Sequence, residues 1–469
     1  MTTTVESDPA VSAPVNVPPG KPTMVVYVPD VASTSADDSE LVEFAQRFAR
    51  LLDHQDGQVA ASYESRAAPA EPYGNTGTPA YADVREIVRT VPGREAAVTH
   101  RIYRFNYDTL LAGASGSDNL LSQFWSVGSL TLKWGWLFLM SALWRARSLG
   151  WREKISLVYG GGALAVILAY AALLFIGVVY WAVSSAGGSV LGAESGMEEA
   201  WSWMGQQITS LIPVSWRGNK VLLHGAATLA MLAGVAGLSF GGVRAWLAKR
   251  VEMFTRFSRY FDSGYGRAAC VGQFNDLLEH ICESECAPNQ VDVIGYSLGG
   301  VVALDVLFPS NGELMPRAAA VSSFTTIGCP FDLVRAFWPA YFEQRFISES
   351  AARMPWINVF SPVDLLGSNF ANEPGVDVRP SRGINCADPG SGQETVAPAP
   401  KGRLPDRNLV YDHAGRTRIR LVEVLLFGGF LAHSQYWVRG CPGAESCYSA
   451  LLWELYGKPR LRSQGATAG

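Results

Sequence analysis

Val291-Asp292-Val293-Ile294-Gly295-Tyr296-Ser297-Leu298-Gly299-Gly300 decides how the rest of this chain is read. It opens as a short strand-forming run and closes onto Val301-Val302-Ala303-Leu304, which continue as an apolar helix. Between the two lies Gly-x-Ser-x-Gly. A serine held on a tight strand-to-helix turn projects its hydroxyl past the end of the strand, and glycines two positions to either side leave room for the strained backbone. The N-terminus of the following helix favours negative charge developing beside the serine. The N–H of Leu298 is placed to serve an oxyanion.

Working outward, the apolar run Met24 to Val28, stopped by Pro29-Asp30, reads as a buried strand, and Ala97 to Phe105, Val321 to Ile327, Trp356 to Phe360 and Ile419 to Phe427 read as further strands. Helical periodicity marks Glu40 to Leu52, where Leu41, Phe44, Ala45, Phe48 and Leu52 share a face. It marks Arg244 to Phe261, Arg267 to Cys282 and Ala444 to Tyr456 as well. Strands alternating with helices predict an α/β fold with a mostly parallel sheet flanked by helices. Gln55 to Gly93 and Gly367 to Asn408, rich in Gly and Pro, read as irregular connections, the second a candidate lid.

A reacting serine needs a base, and the base needs an orienting acid. Asp364 follows the strand 356–360 in Ser361-Pro362-Val363-Asp364, at the strand's C-terminal end, and is the preferred acid. Asp332, after the preceding strand, is its rival. Only His413 and His433 lie downstream of Asp364. His433, beyond the last expected strand in His433-Ser434-Gln435-Tyr436-Trp437, is preferred as the base. His54, His100, His224 and His280 read as structural or surface residues.

These three motifs, in this order, resemble those of the α/β-hydrolases, particularly their lipase- and esterase-like members. The resemblance covers residues 267–456 well and 25–108 weakly. It implies that Ser297, His433 and Asp364 act as nucleophile, base and acid. It makes the 25–28 strand the oxyanion-loop strand and 97–105 the next. One departure stands out: many such enzymes carry His-Gly after that strand, and this chain has Pro29-Asp30. Proline has no N–H to donate, so the second oxyanion donor falls to Asp30 or Val31.

Between these parts the composition changes. Ile155 to Val183 holds no charged residue over 29 positions. As a helix it would reach roughly 43 Å, against a hydrocarbon core of about 30 Å. Val221 to Val243 is a second such run, with the Gly237–Gly241 spacing that permits close helix approach. Arg145, Arg147, Arg152, Lys154, Arg244, Lys249 and Arg250 flank the pair on the outside, while the 184–219 loop carries Glu194, Glu198 and Glu199. Positive flanks predict that both outer ends face the cytoplasm. Leu120 to Trp144, with Lys133 at its centre and several Trp, reads as an interfacial helix lying on the membrane. An even number of spans returns the chain to the side it left, as a single sheet requires.

Composition narrows the classes further. Charged residues make up 17% of the 469, against about 25% in soluble domains. The net charge of −4 gives no case for nucleic acid. The seven cysteines form no paired knuckle, so no metal site and no cofactor are expected, and reduced thiols are the simplest reading. Residues 1–22 have no basic segment followed by an apolar one and read as a disordered tail rather than a signal peptide. The expected organisation is then 23–119 and 251–458 as two parts of a hydrolase domain, 120–250 as a membrane-associated insertion, and 459–469 as a flexible end. The expected function is a serine hydrolase of ester or thioester bonds, anchored in the inner membrane, with the lipid bilayer and a lipid or acylated substrate as partners. An acyltransferase on the same three residues, or a non-enzymatic membrane scaffold, are the alternatives.

Overall fold

The computed structural model describes residues 21–31, 39–55, 61–74, 80–111, 120–141, 241–262, 264–283, 290–310, 320–338, 340–342, 345–346, 353–361, 366–370, 386–387 and 404–410, together with the single positions 143, 154, 157, 158, 160, 161, 164, 168, 364, 433, 436 and 455. The expected strand at 419–427, helix at 444–456 and nearly all of the two uncharged runs lie outside them. Among the described residues, no helix is long and apolar enough to cross a membrane.

The chain enters through β1 (Thr23–Val28), which is buried along nearly its whole length. Alternation sends Val25 and Tyr27 to one face of the sheet and Met24, Val26 and Val28 to the other. A strand covered on both faces has no polar side to show, and hence reads as a continuous apolar run. α1 (Ser39–Gln55) covers the first face with Leu41, Phe44, Ala45, Phe48 and Leu52. β5 (Ala97–Arg104) pairs parallel with one edge of β1, and β6 (Val291–Tyr296) with the other.

β7 (Val321–Ile327), β9 (Trp356–Phe360) and β11 (Arg407–Val410) extend the parallel sheet beyond β6. On the other side, β4 (Ala80–Thr90) runs antiparallel to β5 and carries β2 (Ser62–Ala67) and β3 (Glu71–Tyr73). The order is β11-β9-β7-β6-β1-β5-β4-β2. The molecule is thus of α/β class, with a mostly parallel mixed sheet and flanking helices.

Two connections read as irregular contain strands. β2, β3 and β4 all fall within 55–93. They escaped a hydrophobic pattern because an edge uses polar side chains: Arg101 reaches from β5 to Glu86 on β4 at 2.8 Å, and Arg89 lies over the Tyr63 ring. A bulge at Ile87/Val88 also breaks the alternation within β4. Likewise, β11 begins inside the 367–408 connection, and β10 (Cys386–Ala387) pairs there with β8 (Arg345–Phe346).

The second face of the sheet carries α4 (Gly241–Asp262), α5 (Gly264–Glu283), α6 (Leu298–Leu307) and α7 (Phe331–Phe337). α2 (Asp108–Leu111) is a single turn after β5. α3 (Leu120–Met140) docks on this layer rather than standing apart from it. Its Trp134 is buried, with its ring edge-on to Phe254 of α4 and Phe337 of α7, and Lys133 pairs with Asp262. Leu132, Trp136 and Leu139 on the same helix are exposed.

β1 and β5 precede the uncharged runs and β6 follows them, yet all three are neighbours in one sheet. The register sets Val28 of β1 against Gly295 of β6. Pro29 and Asp30 therefore emerge alongside Tyr296 and Ser297, at the sheet's C-terminal edge.

Candidate active site

Ser297 stands between β6 and α6 with φ 55° and ψ −126°. A side chain rarely adopts this backbone, at a cost of order 1–3 kcal/mol, and it persists only where the surroundings enforce it. Here they do. The Ser297 N–H donates to the carbonyl of Ile327 at 2.9 Å, extending the β6–β7 ladder one step into the turn. A Cβ on Gly295 would meet Gly300 Cα at 2.6 Å, and one on Gly299 would meet the Val28 carbonyl oxygen at 2.2 Å. Neither contact is with a flexible side chain, so only glycine lets the elbow close against itself and against β1. The Ser297 side chain makes no capping bond to its helix. The N–H of Leu298 is the first of α6, a position for which helix geometry supplies no partner four residues back.

Asp364 and His433 meet. His433 Nδ1 lies 2.9 Å from Asp364 Oδ2, and both residues are buried. A carboxylate there accepts an N–H from Nδ1, which leaves Nε2 as the basic nitrogen. Asp364 Oδ1 accepts the Leu366 N–H at 2.9 Å, while Oδ2 also accepts the Tyr436 hydroxyl at 2.8 Å. Three groups thus converge on this buried carboxyl group, so its polar atoms are not left unpaired by burial.

Tyr296, the residue before Ser297, binds His433 twice: its hydroxyl donates to the His433 carbonyl, and its ring stacks on the imidazole with centroids 5.3 Å apart. Gly328, just after β7 with φ +55°, lies beneath the pair; a Cβ there would come within 3.1 Å of His433 Cε1 and 3.3 Å of Asp364 Oδ2. Tyr296 at the end of β6, Gly328 after β7 and Asp364 after β9 thereby all meet His433, one residue along the chain from Ser297.

The rivals fare differently. Asp332, in the first turn of α7, accepts the Ser368 hydroxyl at 2.7 Å. His413 lies outside the described residues. His100 is half-buried and desolvation lowers its pKa to about 3, and His280 bonds Glu71 at 3.0 Å. Cys329, the one thiol beside the elbow glycines among the described residues, is buried, and burial pushes its pKa well up, so it stays neutral. Cys270, Cys282 and Cys329 are free thiols. Among the described residues, no cluster of His, Cys, Asp and Glu is arranged to hold a metal ion.

The Pro29–Val31 turn beside the elbow is organised by contacts that the sequence did not announce. The Val31 N–H donates to Asp30 Oδ1 at 2.8 Å, so this candidate donor is already engaged. Tyr107 donates to the Pro29 carbonyl at 2.9 Å, and Arg256 of α4 reaches the Val31 carbonyl at 3.3 Å and Asp108 at 3.4 Å. Asp108 is pushed up to about 7, first by burial, against the pull of Arg256 and Arg104 and with a smaller push from Asp30 and Glu40.

Behind the elbow, Asp305 of α6 is wholly buried among Arg345 at 2.6 Å, Arg267 at 3.0 Å, and the hydroxyls of Tyr260 and Tyr341. Burial pushes both tyrosines well above their ordinary range, so they remain donors. This knot ties the helix that carries Ser297 to α4, α5 and the 341–345 segment.

No family model, curated protein or solved structure matches the chain. Function has to be read from the geometry of the site itself.

Proposed function

We propose that this chain is a serine hydrolase of the α/β-hydrolase type, anchored at a membrane, that cleaves an ester or thioester of a lipid or acylated substrate. The single observation that carries the reading is the buried Asp364–His433 bond, at the sheet edge where Ser297 sits on a strained turn. In this reading His433 Nε2 takes the proton as Ser297 Oγ attacks the carbonyl carbon. The oxyanion so formed faces the Leu298 N–H and the N-terminus of α6. His433 then gives its proton to the leaving alcohol or thiol. Water, deprotonated by the same imidazole, then bonds to the acyl carbon; the bond to Ser297 Oγ breaks, the acid departs, and His433 returns the proton to Oγ. Asp364 holds the imidazole in its working tautomer and balances its charge. No step calls for a cofactor.

The membrane part is supported by the two uncharged runs and by the apolar stripe Leu132, Trp136 and Leu139, which α3 turns away from the fold. The pairing of β1 with β6 across the insertion favours an even number of spans. A panel of p-nitrophenyl esters and a fatty acyl thioester, presented to the full chain in detergent, tests the chemistry. Turnover that Ser297→Ala abolishes is the expected result. A folded protein that turns over none of them, or an undiminished rate in Ser297→Ala, would overturn it.

A further inference from the structure

We propose that Tyr436 is a positioning residue which sets the charge on Asp364, and through it the pH at which His433 becomes available as a base. The inference rests on the serine-hydrolase reading above and deepens it.

Tyr436 is fully buried, and its hydroxyl has two partners. It donates to Asp364 Oδ2 at 2.8 Å and accepts the Ser361 N–H at 2.8 Å. Oδ2 is also the oxygen that faces His433 Nδ1. Two donors therefore compete for one oxygen. A hydrogen bond to a carboxylate draws negative charge from the oxygen that accepts it. It thus leaves that oxygen less negative toward the imidazolium that forms during the reaction. The accepted Ser361 N–H polarises the phenol and strengthens its donation. The backbone holds the ring in place: a Cβ on Gly328 would meet Tyr436 Cε2 at 2.8 Å, and one on Gly367 the Tyr436 hydroxyl at 2.8 Å. Among the described residues, the titratable groups facing the His433 ring are Asp364, Tyr436 and, from β6, Tyr296. Asp332 of α7 bonds Ser368.

The sign follows directly. Without the phenol hydroxyl, Asp364 stabilises protonated His433 more strongly. The imidazole then holds its proton to higher pH, and the base becomes available later. The rate at which a fluorophosphonate labels Ser297 reports the neutral imidazole without knowledge of the natural substrate. For Tyr436→Phe the midpoint of that rate against pH should rise by about one unit, while the plateau at high pH falls no more than a few-fold. A residue that merely packed would lower the plateau and leave the midpoint unmoved. In Asp364→Asn the further change Tyr436→Phe should leave any midpoint where it was, since the charge being tuned is gone. If Tyr436→Phe does not fold, site-specific 3-fluorotyrosine at 436, a stronger donor of nearly equal size, should move the midpoint down.

Coincident midpoints in wild type and variant would overturn the proposal and leave the hydrolase reading standing. Absence of labelling at Ser297 in folded wild-type protein would overturn both.

Discussion

β6, β7 and β9 at the centre and right of the sheet are buried on both faces, whereas β2, at the far edge of the same sheet, shows most of its residues to water. The first group ends in turns that hold Ser297, Gly328 and Asp364. The second runs on into Ala68-Pro69-Ala70, and none of the candidate site residues comes from it. Burial on both faces makes the backbone at the strand ends a rigid frame, which can enforce a strained serine and a buried carboxylate. The edge has no such frame; cross-strand contacts such as Arg89 of β4 over the Tyr63 ring of β2 contribute to its cohesion. Polar side chains on an edge also discourage pairing with other chains.

The contrast breaks first at the carboxylates. Asp364→Asn should lower turnover on the order of ten-thousand-fold while the fold survives, because the amide favours the wrong imidazole tautomer. Steady-state kinetics alongside a thermal melt would check both halves. The same change at Asp332, whose carboxylate serves Ser368, should cost far less activity; the reverse ranking would exchange their roles.

Next comes the knot behind the elbow. Asp305→Ala strands the buried Arg345 and the half-buried Arg267 and should cost about 3–5 kcal/mol of stability, as for other broken buried pairs. Chemical denaturation measures it. A loss under 1 kcal/mol would mean that water reaches the cluster.

A smaller, pH-dependent effect is expected at Asp108. Its folded pKa of about 7 lies above the ordinary 3.8. The neutral carboxyl is therefore favoured by folding. Its contribution is fully present below about pH 4 and is lost as the pH rises through 7. Relative to Asp108→Asn, the wild-type Tm should fall between those limits. Parallel Tm profiles would show that the carboxyl is not desolvated. The edge should barely respond: Glu64→Gln removes an exposed pair with Arg66 at 3.1 Å and should change stability by no more than about 0.5 kcal/mol.

The same contrast explains what was legible in the sequence. β7 and β9 run from Val321 to Ile327 and from Trp356 to Phe360, the limits that the sequence predicts for these strands. The Gly295–Gly299 turn announces itself because close backbone approach admits only glycine at its ends. Asp364 and His433 follow from strand ends and chain order. β2, β3 and β4 stayed hidden, since their cohesion comes from side-chain pairs between residues distant in sequence. Tyr436 was visible as a letter three places after His433, but nothing local says that its hydroxyl reaches Asp364. The Arg256 contact to Val31 spans 225 positions, a separation no motif reports. Val31 itself looked like an open donor until the neighbouring Asp30 carboxylate was seen to take its N–H.

The central claim is that Ser297 is an activated nucleophile. Peptide mass spectrometry after brief exposure of the full chain to a fluorophosphonate tests it most directly. A single adduct on Ser297 is expected, absent in Ser297→Ala and much slower to form in Asp364→Asn. A folded protein with no adduct on Ser297, or with the same labelling rate in Asp364→Asn, would contradict it.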